Sequence, residues 1–162
     1  MALDGTECPV QMPTEFLIQK LYYSGKKKKH TIKYEVAVQL DNGRILWVGG
    51  AVPGSVHDVT MARTLGIFNY LIPGELIMGD KGYYGDSHFI TPFKQPQTVQ
   101  EAQWNSCINS VREIAEHTYC RLKTFNFTQQ KWRHDLELHP IAFKTLCHMV
   151  NIDLFFNPVH KE

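Results

Sequence analysis

The chain of 162 residues reads as one α/β domain, a mixed sheet covered by helices. Three observations predict it. TIKYEVAVQL, residues 31–40, alternates apolar and polar side chains with a period of two, the pattern of a strand with one buried face. Residues 108–125 place Ile108, Val111, Ala115, Thr118, Tyr119, Leu122 and Phe125 on one side at about 100° per residue, the stripe of a packed helix. Between them, the short apolar run Leu76-Ile77-Met78 ends on Asp80, the mark of a buried strand stopping at the rim of a sheet.

Taken in order, Met1-Ala2-Leu3 is a short apolar piece leading to Asp4-Gly5-Thr6. The alternating strand then runs into Asp41-Asn42-Gly43-Arg44, where Asn-Gly predicts a two-residue type I′ turn and a return strand from Ile45 to Val48. Ser55 is the expected N-cap of a short helix over His57 to Leu65, with Asp58 favourably placed in its first turn. Pro73-Gly74 predicts a turn before the strand at Leu76, and Phe89 to Thr91 a brief strand halted by Pro92. The polar segment 95–103 is expected as a loop into the long helix. Leu138 to Phe156 is expected to be helical after Pro140 and to stop at Pro158.

Composition excludes several classes. Hydrophobic content of 43% and charged content of 20% suit a globular domain, and a net charge of +1 requires any nucleic-acid surface to be local. No segment approaches the length of a membrane span, and the first ten residues lack a basic start and an apolar core. Cys8, Cys107, Cys120 and Cys147 form no C-x-x-C pair, so reduced thiols are expected.

Three carboxylates stand out by placement: Asp4 after the first apolar piece, Asp80 at a strand end and Glu116 on the long helix. Glu116 lies about 120° from the centre of the apolar stripe, on nearly the same line as Arg112 and Lys123, whereas Glu113 points away from the core. A glutamate on that border reaches the edge of a sheet beneath it. Hard divalent ions such as Mg²⁺ or Mn²⁺ take carboxylate oxygens and leave positions open for phosphate and water. Two such ions about 4 Å apart serve an in-line phosphoryl displacement. Converging carboxylates also repel, which predicts a raised pKa on at least one of them. Gly79 and Gly82 would let a phosphate backbone approach Asp80 closely. The cations Lys26, Lys27, Lys28 and Lys29 read either as a solvated loop guarding a sheet edge, as phosphate contacts or as a nuclear localisation patch. His57-Asp58 reads as a helix start or as a supporting group near metal, and Trp104 as a packing residue.

These residues occur in a recognisable order: DGTECP at 4–9, YYSGK at 22–26 with His30 and Tyr34, PGSVHD at 53–58, GDKGY at 79–83, Thr91-Pro92, and Arg112 to Lys123 ending in RLK. Thirty-five residues separate Asp80 from Glu116. In this the chain resembles the catalytic domain of Harbinger-type DDE transposases, kin of a bacterial insertion-sequence group. The resemblance implies a ribonuclease-H-like mixed five-stranded sheet flanked by helices, formed by residues 1–162 as a single catalytic domain with 138–157 as a C-terminal helix packed on the core. It implies Asp4, Asp80 and Glu116 as catalytic and metal-binding residues for two Mg²⁺ or Mn²⁺ ions. Lys26 to Lys29, Arg112 and Lys123 would steer phosphate. The expected partners are DNA, a separate DNA-binding protein and a second copy of the chain, with no membrane, in the nucleus or, for a prokaryotic protein, the cytoplasm. The chain begins three residues before Asp4, which leaves the helical DNA-binding segment of such proteins outside it. A second reading therefore stays open, a truncated or domesticated DNA- or protein-binding module without catalysis.

Overall fold

The computed structural model describes residues 1–159. Strand β1 (Ala2–Pro9) is followed by helix α1 (Phe16–Tyr22) and strands β2 (Tyr23–Ser24), β3 (Lys29–Val38) and β4 (Ile45–Pro53). Helix α2 (Asp58–Thr64) leads to the short strands β5 (Ile77–Met78) and β6 (Phe89–Ile90). Three helices complete the chain: α3 (Val99–Lys123), α4 (Asn126–Gln129) and α5 (Leu138–Phe156). The sheet runs β2-β3-β1-β5-β6, with β4 on the open side of β3. It has six strands rather than five, because Tyr23–Ser24 pairs with Lys29–His30 as an extra ribbon. β1 and β3 pair antiparallel along their full length, whereas β1–β5 and β5–β6 are parallel, giving the mixed sheet of a ribonuclease-H-like fold.

β3 is a central strand, and this overturns the expectation of one buried face. β1 lies on one side of it and β4 on the other, and helices cover both faces. Ile32, Tyr34, Val36 and Val38 join the larger core with Leu122, Phe143, Leu146 and Val150 from α3 and α5. The alternate residues Lys33, Glu35 and Ala37 are also buried, and Ala37 packs with Leu3, Ala62, Ile77 and Tyr83 in a smaller core.

Several local expectations shift for identifiable reasons. The β3–β4 connection is a longer loop, closed by Gln39 N–H donating to Arg44 O at 2.8 Å, not a type I′ turn. Asn42 uses its side chain to accept from Arg44 N–H at 2.9 Å, and only Gly43, at φ +76°, is left-handed. A Cβ on Gly43 would meet Thr118 Oγ1 of α3 at 2.8 Å, so α3 docks directly on that loop. His57, not Ser55, caps α2. The segment 95–103 is only partly loop, since Thr98 and Glu101 form a capping box that starts α3 at Val99. The buried stripe of α3 is Ile108, Ile114, Ala115, Thr118 and Leu122, with Val111 and Phe125 at 37% and 36% exposure on its margins. α5 begins before Pro140 because that residue falls in the first turn, where no intrahelical amide donor is needed. α1 and α4 have no counterpart in the sequence pattern, and α1 buries none of its residues.

Candidate active site

The single register pair between β1 and β5 is Ala2 opposite Met78. Parallel strands carry matched residues to the same end, so the positions two beyond, Asp4 and Asp80, come side by side at the rim. Residues two apart share a face of a strand. Ala2 packs into the α3–α5 core, which gives Asp4 the same side as α3, where Arg112 meets it.

Backbone amides hold both carboxylates. Asp4 Oδ1 accepts from Gly5 N–H at 2.7 Å, and Asp80, which caps a short 3₁₀ turn over Lys81–Tyr83, accepts from Gly82 N–H at 2.7 Å through its Oδ1. The second oxygen of Asp4 faces the Arg112 guanidinium at 3.8 Å. Burial and then the charge of Asp80 push the Asp4 carboxyl up to about 6, against the opposing pull of the Gly5 amide and Arg112. The rise is owed to burial first, with repulsion from Asp80 second.

α3 lies over this rim. Arg112 reaches Asp4, and the Tyr119 hydroxyl donates to the carbonyls of Asp4 and Val36. Lys123 Nζ donates to Glu7 O at 2.9 Å. Glu116 falls between these contacts, one turn beyond Arg112, and it is exposed. Among the described residues, no three His, Cys, Asp or Glu side chains converge closely enough to hold an ion together. The donor chemistry nonetheless fits a hard divalent ion: two carboxylates lie near each other, one with a raised pKa that a cation would relieve.

A third carboxylate approaches from α2. Asp58 Oδ1 accepts from Lys33 Nζ at 2.7 Å, and the same ammonium donates to Val56 O at 2.7 Å. A Cβ on Gly82 would stand 2.9 Å from Asp80 Oδ1 and 3.2 Å from Asp58 Oδ2, so the two carboxylates flank the same glycine. Below them Glu35 is wholly buried and accepts from the Tyr83 hydroxyl at 2.9 Å. Glu35 escaped sequence reasoning because strand alternation assigns it to solvent. Asp58 was visible there as a helix start, but its partner Lys33 was not.

Lys26, Lys27, Lys28 and Lys29 are all exposed, on the β2–β3 turn and the start of β3. Lys27 and Lys29 join Lys123, Glu7, Thr31 and Gln129 around a cavity of about 270 Å³. Burial lowers the pKa of Lys123 there. At about 3.3 Å per residue, Glu7 stands roughly 10 Å along β1 from Asp4. Trp104 is 47% exposed and does not pack in the core. All four cysteines are free.

Residues 3–151 match the family described as DDE superfamily endonuclease. The chain is 30% identical over 143 residues, 83% of its length, to a probable transposase for insertion sequence element IS702 from Microchaete diplosiphon. It spans 50% of that relative's length. No solved structure matches it at a significant level. No helix among the described residues is long and apolar enough to cross a membrane. The match covers both aspartates, the long helix above them and nearly all of the sheet, and on it the chain belongs to the DDE superfamily endonuclease family.

Proposed function

We propose that the chain is the catalytic domain of a divalent-metal-dependent DNA transposase or endonuclease, hydrolysing phosphodiesters by two-metal in-line displacement. Asp4, Asp80 and Glu116 would hold the Mg²⁺ or Mn²⁺ ions. One observation carries the reading: Asp4 on β1 and Asp80, two residues past the end of the adjacent parallel β5, lie close enough for their charges to act on each other, and the helix that bears Glu116 sends Arg112 to Asp4. Bound ions would polarise the scissile phosphate and lower the pKa of the attacking water. The chain supplies orientation. The Gly5 and Gly82 amides each hold one oxygen of an aspartate; the second oxygen of Asp4 faces Arg112, which a bound ion would have to displace or share. Arg112 partly neutralises Asp4, while Lys123, Lys27 and Lys29, with Lys26 and Lys28 beside them, form a cationic landing for the DNA backbone. DNA is the proposed substrate, and a second DNA-binding protein or a second copy of the chain are proposed partners. The insertion-sequence relative supports the cytoplasm over the nucleus.

The second reading, a transposase-derived binding module without catalysis, draws on the absence of a converged three-ligand group among the described residues. Incubating the protein with supercoiled plasmid and Mn²⁺ decides between them. Nicked circles that disappear with chelator and with Asp80→Asn support catalysis. Plasmid left intact by the folded parent, with DNA binding retained, establishes the module.

A further inference from the structure

We infer that Glu35 and Tyr83 are positioning residues for the metal carboxylates, their hydrogen bond clamping the turn that begins at Asp80 to the strand paired with that of Asp4. The inference rests on the catalytic reading above and deepens it.

The need for a clamp follows from topology. β1 and β5 share one register pair, Ala2 with Met78, so backbone pairing alone ties Asp80 weakly to Asp4. β1 and β3, in contrast, are paired along eight positions, and Glu35 stands opposite Gly5, the neighbour of Asp4. Whatever is fixed to Glu35 is therefore fixed to Asp4.

Tyr83 supplies the other half. It closes the 3₁₀ turn capped by Asp80, with its N–H donating to Asp80 O at 3.2 Å. Its ring stacks on Phe89 with centroids 4.5 Å apart, and its hydroxyl donates to Glu35 Oε1 at 2.9 Å. Backbone, ring and hydroxyl are each held, and both side chains are fully buried. Glu35 Oε2 has no hydrogen-bond partner. A buried carboxyl satisfied on one oxygen alone is a poor way to fill a core, and an apolar pair would pack there without an orphan atom. Its position beneath the aspartates accounts for it. Burial, with the nearby charges of Asp58 and Asp4 adding to it, pushes the Glu35 carboxyl up to about 8. At neutral pH it therefore carries a proton and adds no negative charge under the rim.

The test is the Mn²⁺ dependence of plasmid nicking, with Mn²⁺ binding measured on the same preparations. Tyr83→Phe removes only the hydroxyl and should raise the Mn²⁺ needed for half-maximal nicking about 10- to 100-fold, the usual cost of losing an outer partner of a metal ligand. Glu35→Gln keeps an acceptor oxygen for Tyr83 and should recover most of that loss. Val150→Ala, on the opposite face in α5, should lower the melting temperature without moving the Mn²⁺ requirement. If Tyr83→Phe does not fold, the double variant Glu35→Leu/Tyr83→Phe removes both polar groups together and should show the same raised requirement. A folded Tyr83→Phe with the parent's Mn²⁺ requirement overturns the inference. So does a Glu35→Gln that loses as much as Tyr83→Phe, since the acceptor would then not be what matters. A parent that neither nicks nor binds Mn²⁺ overturns the catalytic reading and this inference with it.

Discussion

On strand β3, Tyr34 and Val36 enter the core beneath α5, while Lys33 and Glu35, their immediate neighbours, enter the layer beneath α2. All four are buried, yet the two faces use burial differently. On the α5 side Tyr34 stacks on Phe143 with centroids 3.9 Å apart, and its hydroxyl lies 2.7 Å from Nδ1 of His139. That face is mostly aliphatic and aromatic, and its burial converts into stability. On the α2 side the smaller apolar core also carries a buried ammonium, a carboxyl and a phenol, joined to Asp58 and to the turn of Asp80. Such groups are costly to desolvate and stabilise little in net terms, but they resist displacement because moving one strands its partner. The lesson of the comparison is that equal burial does not imply equal purpose. One face holds the domain together, and the other holds the rim in shape.

The comparison can be broken most decisively at the helix above the rim. Glu116→Gln should abolish nicking while leaving the metal-free fold no less stable, because the residue is exposed. Glu113→Gln, also exposed on α3, should nick nearly as the parent does. Reversed outcomes in the same Mn²⁺ assay would show that the other glutamate faces the site.

A smaller but still large effect is expected from the apolar face. Phe143→Ala removes a fully buried ring that stacks on Tyr34, and should cost about 3–5 kcal/mol in urea unfolding. A loss below about 1 kcal/mol would mean that this face is not the main source of stability.

The third prediction sharpens the comparison by pH. Glu35 has its folded pKa raised from 4.5 to about 8, so its contribution is fully present below 4.5 and is lost as pH rises through 8. Asp4 behaves likewise between 3.8 and about 6. His139 opposes both: burial lowers its pKa from 6.5 to about 4, so its contribution is present above 6.5 and is lost as pH falls toward 4. Of these three groups only Glu35 titrates between 6.5 and 8, and the parent should lose about 1–2 kcal/mol across that window. Glu35→Gln should flatten the slope there and leave the profile below pH 4.5 unchanged. An unaltered slope in urea midpoints would show that the carboxyl is already ionised at neutral pH.

The smallest effect belongs to neither face. Arg121 pairs with Asp153 at 2.6 Å on the exposed outer surface, and Arg121→Ala should leave the urea midpoint where it is. A clear shift would mean that the α3–α5 contact depends on this ion pair.

Much of this architecture is legible in local pattern. Period-two alternation marks β3, the helical stripe marks α3, and an apolar run ending at Asp80 marks β5 and the rim. These signals survive because each depends on residues close in sequence. The order of Asp4, Asp80 and Glu116 is legible for the same reason, but the border placement read for Glu116 is not reproduced: it is exposed, as Glu113 is, while Arg112 and Lys123 are half-buried. α1 left no such signal, because a seven-residue helix with no buried residue has no stripe to detect. The helical wheel turns Val111 and Phe125 inward and leaves Ile114 out, since it cannot show where the Gly43 loop and α5 press on the helix.

By itself, then, the sequence determined most of the strand and helix segments and the family, and named Asp4 and Asp80 as candidates. The tertiary structure decided that β3 is covered on both faces, which turns Lys33 and Glu35 from expected surface residues into buried ones. It also decided that one pairing of Ala2 with Met78 carries Asp4 to the side of Asp80. Alternation records that neighbouring side chains face opposite ways, but not how many layers will cover them. Strand register across seventy-six residues is set by packing between distant segments, and no local pattern contains it.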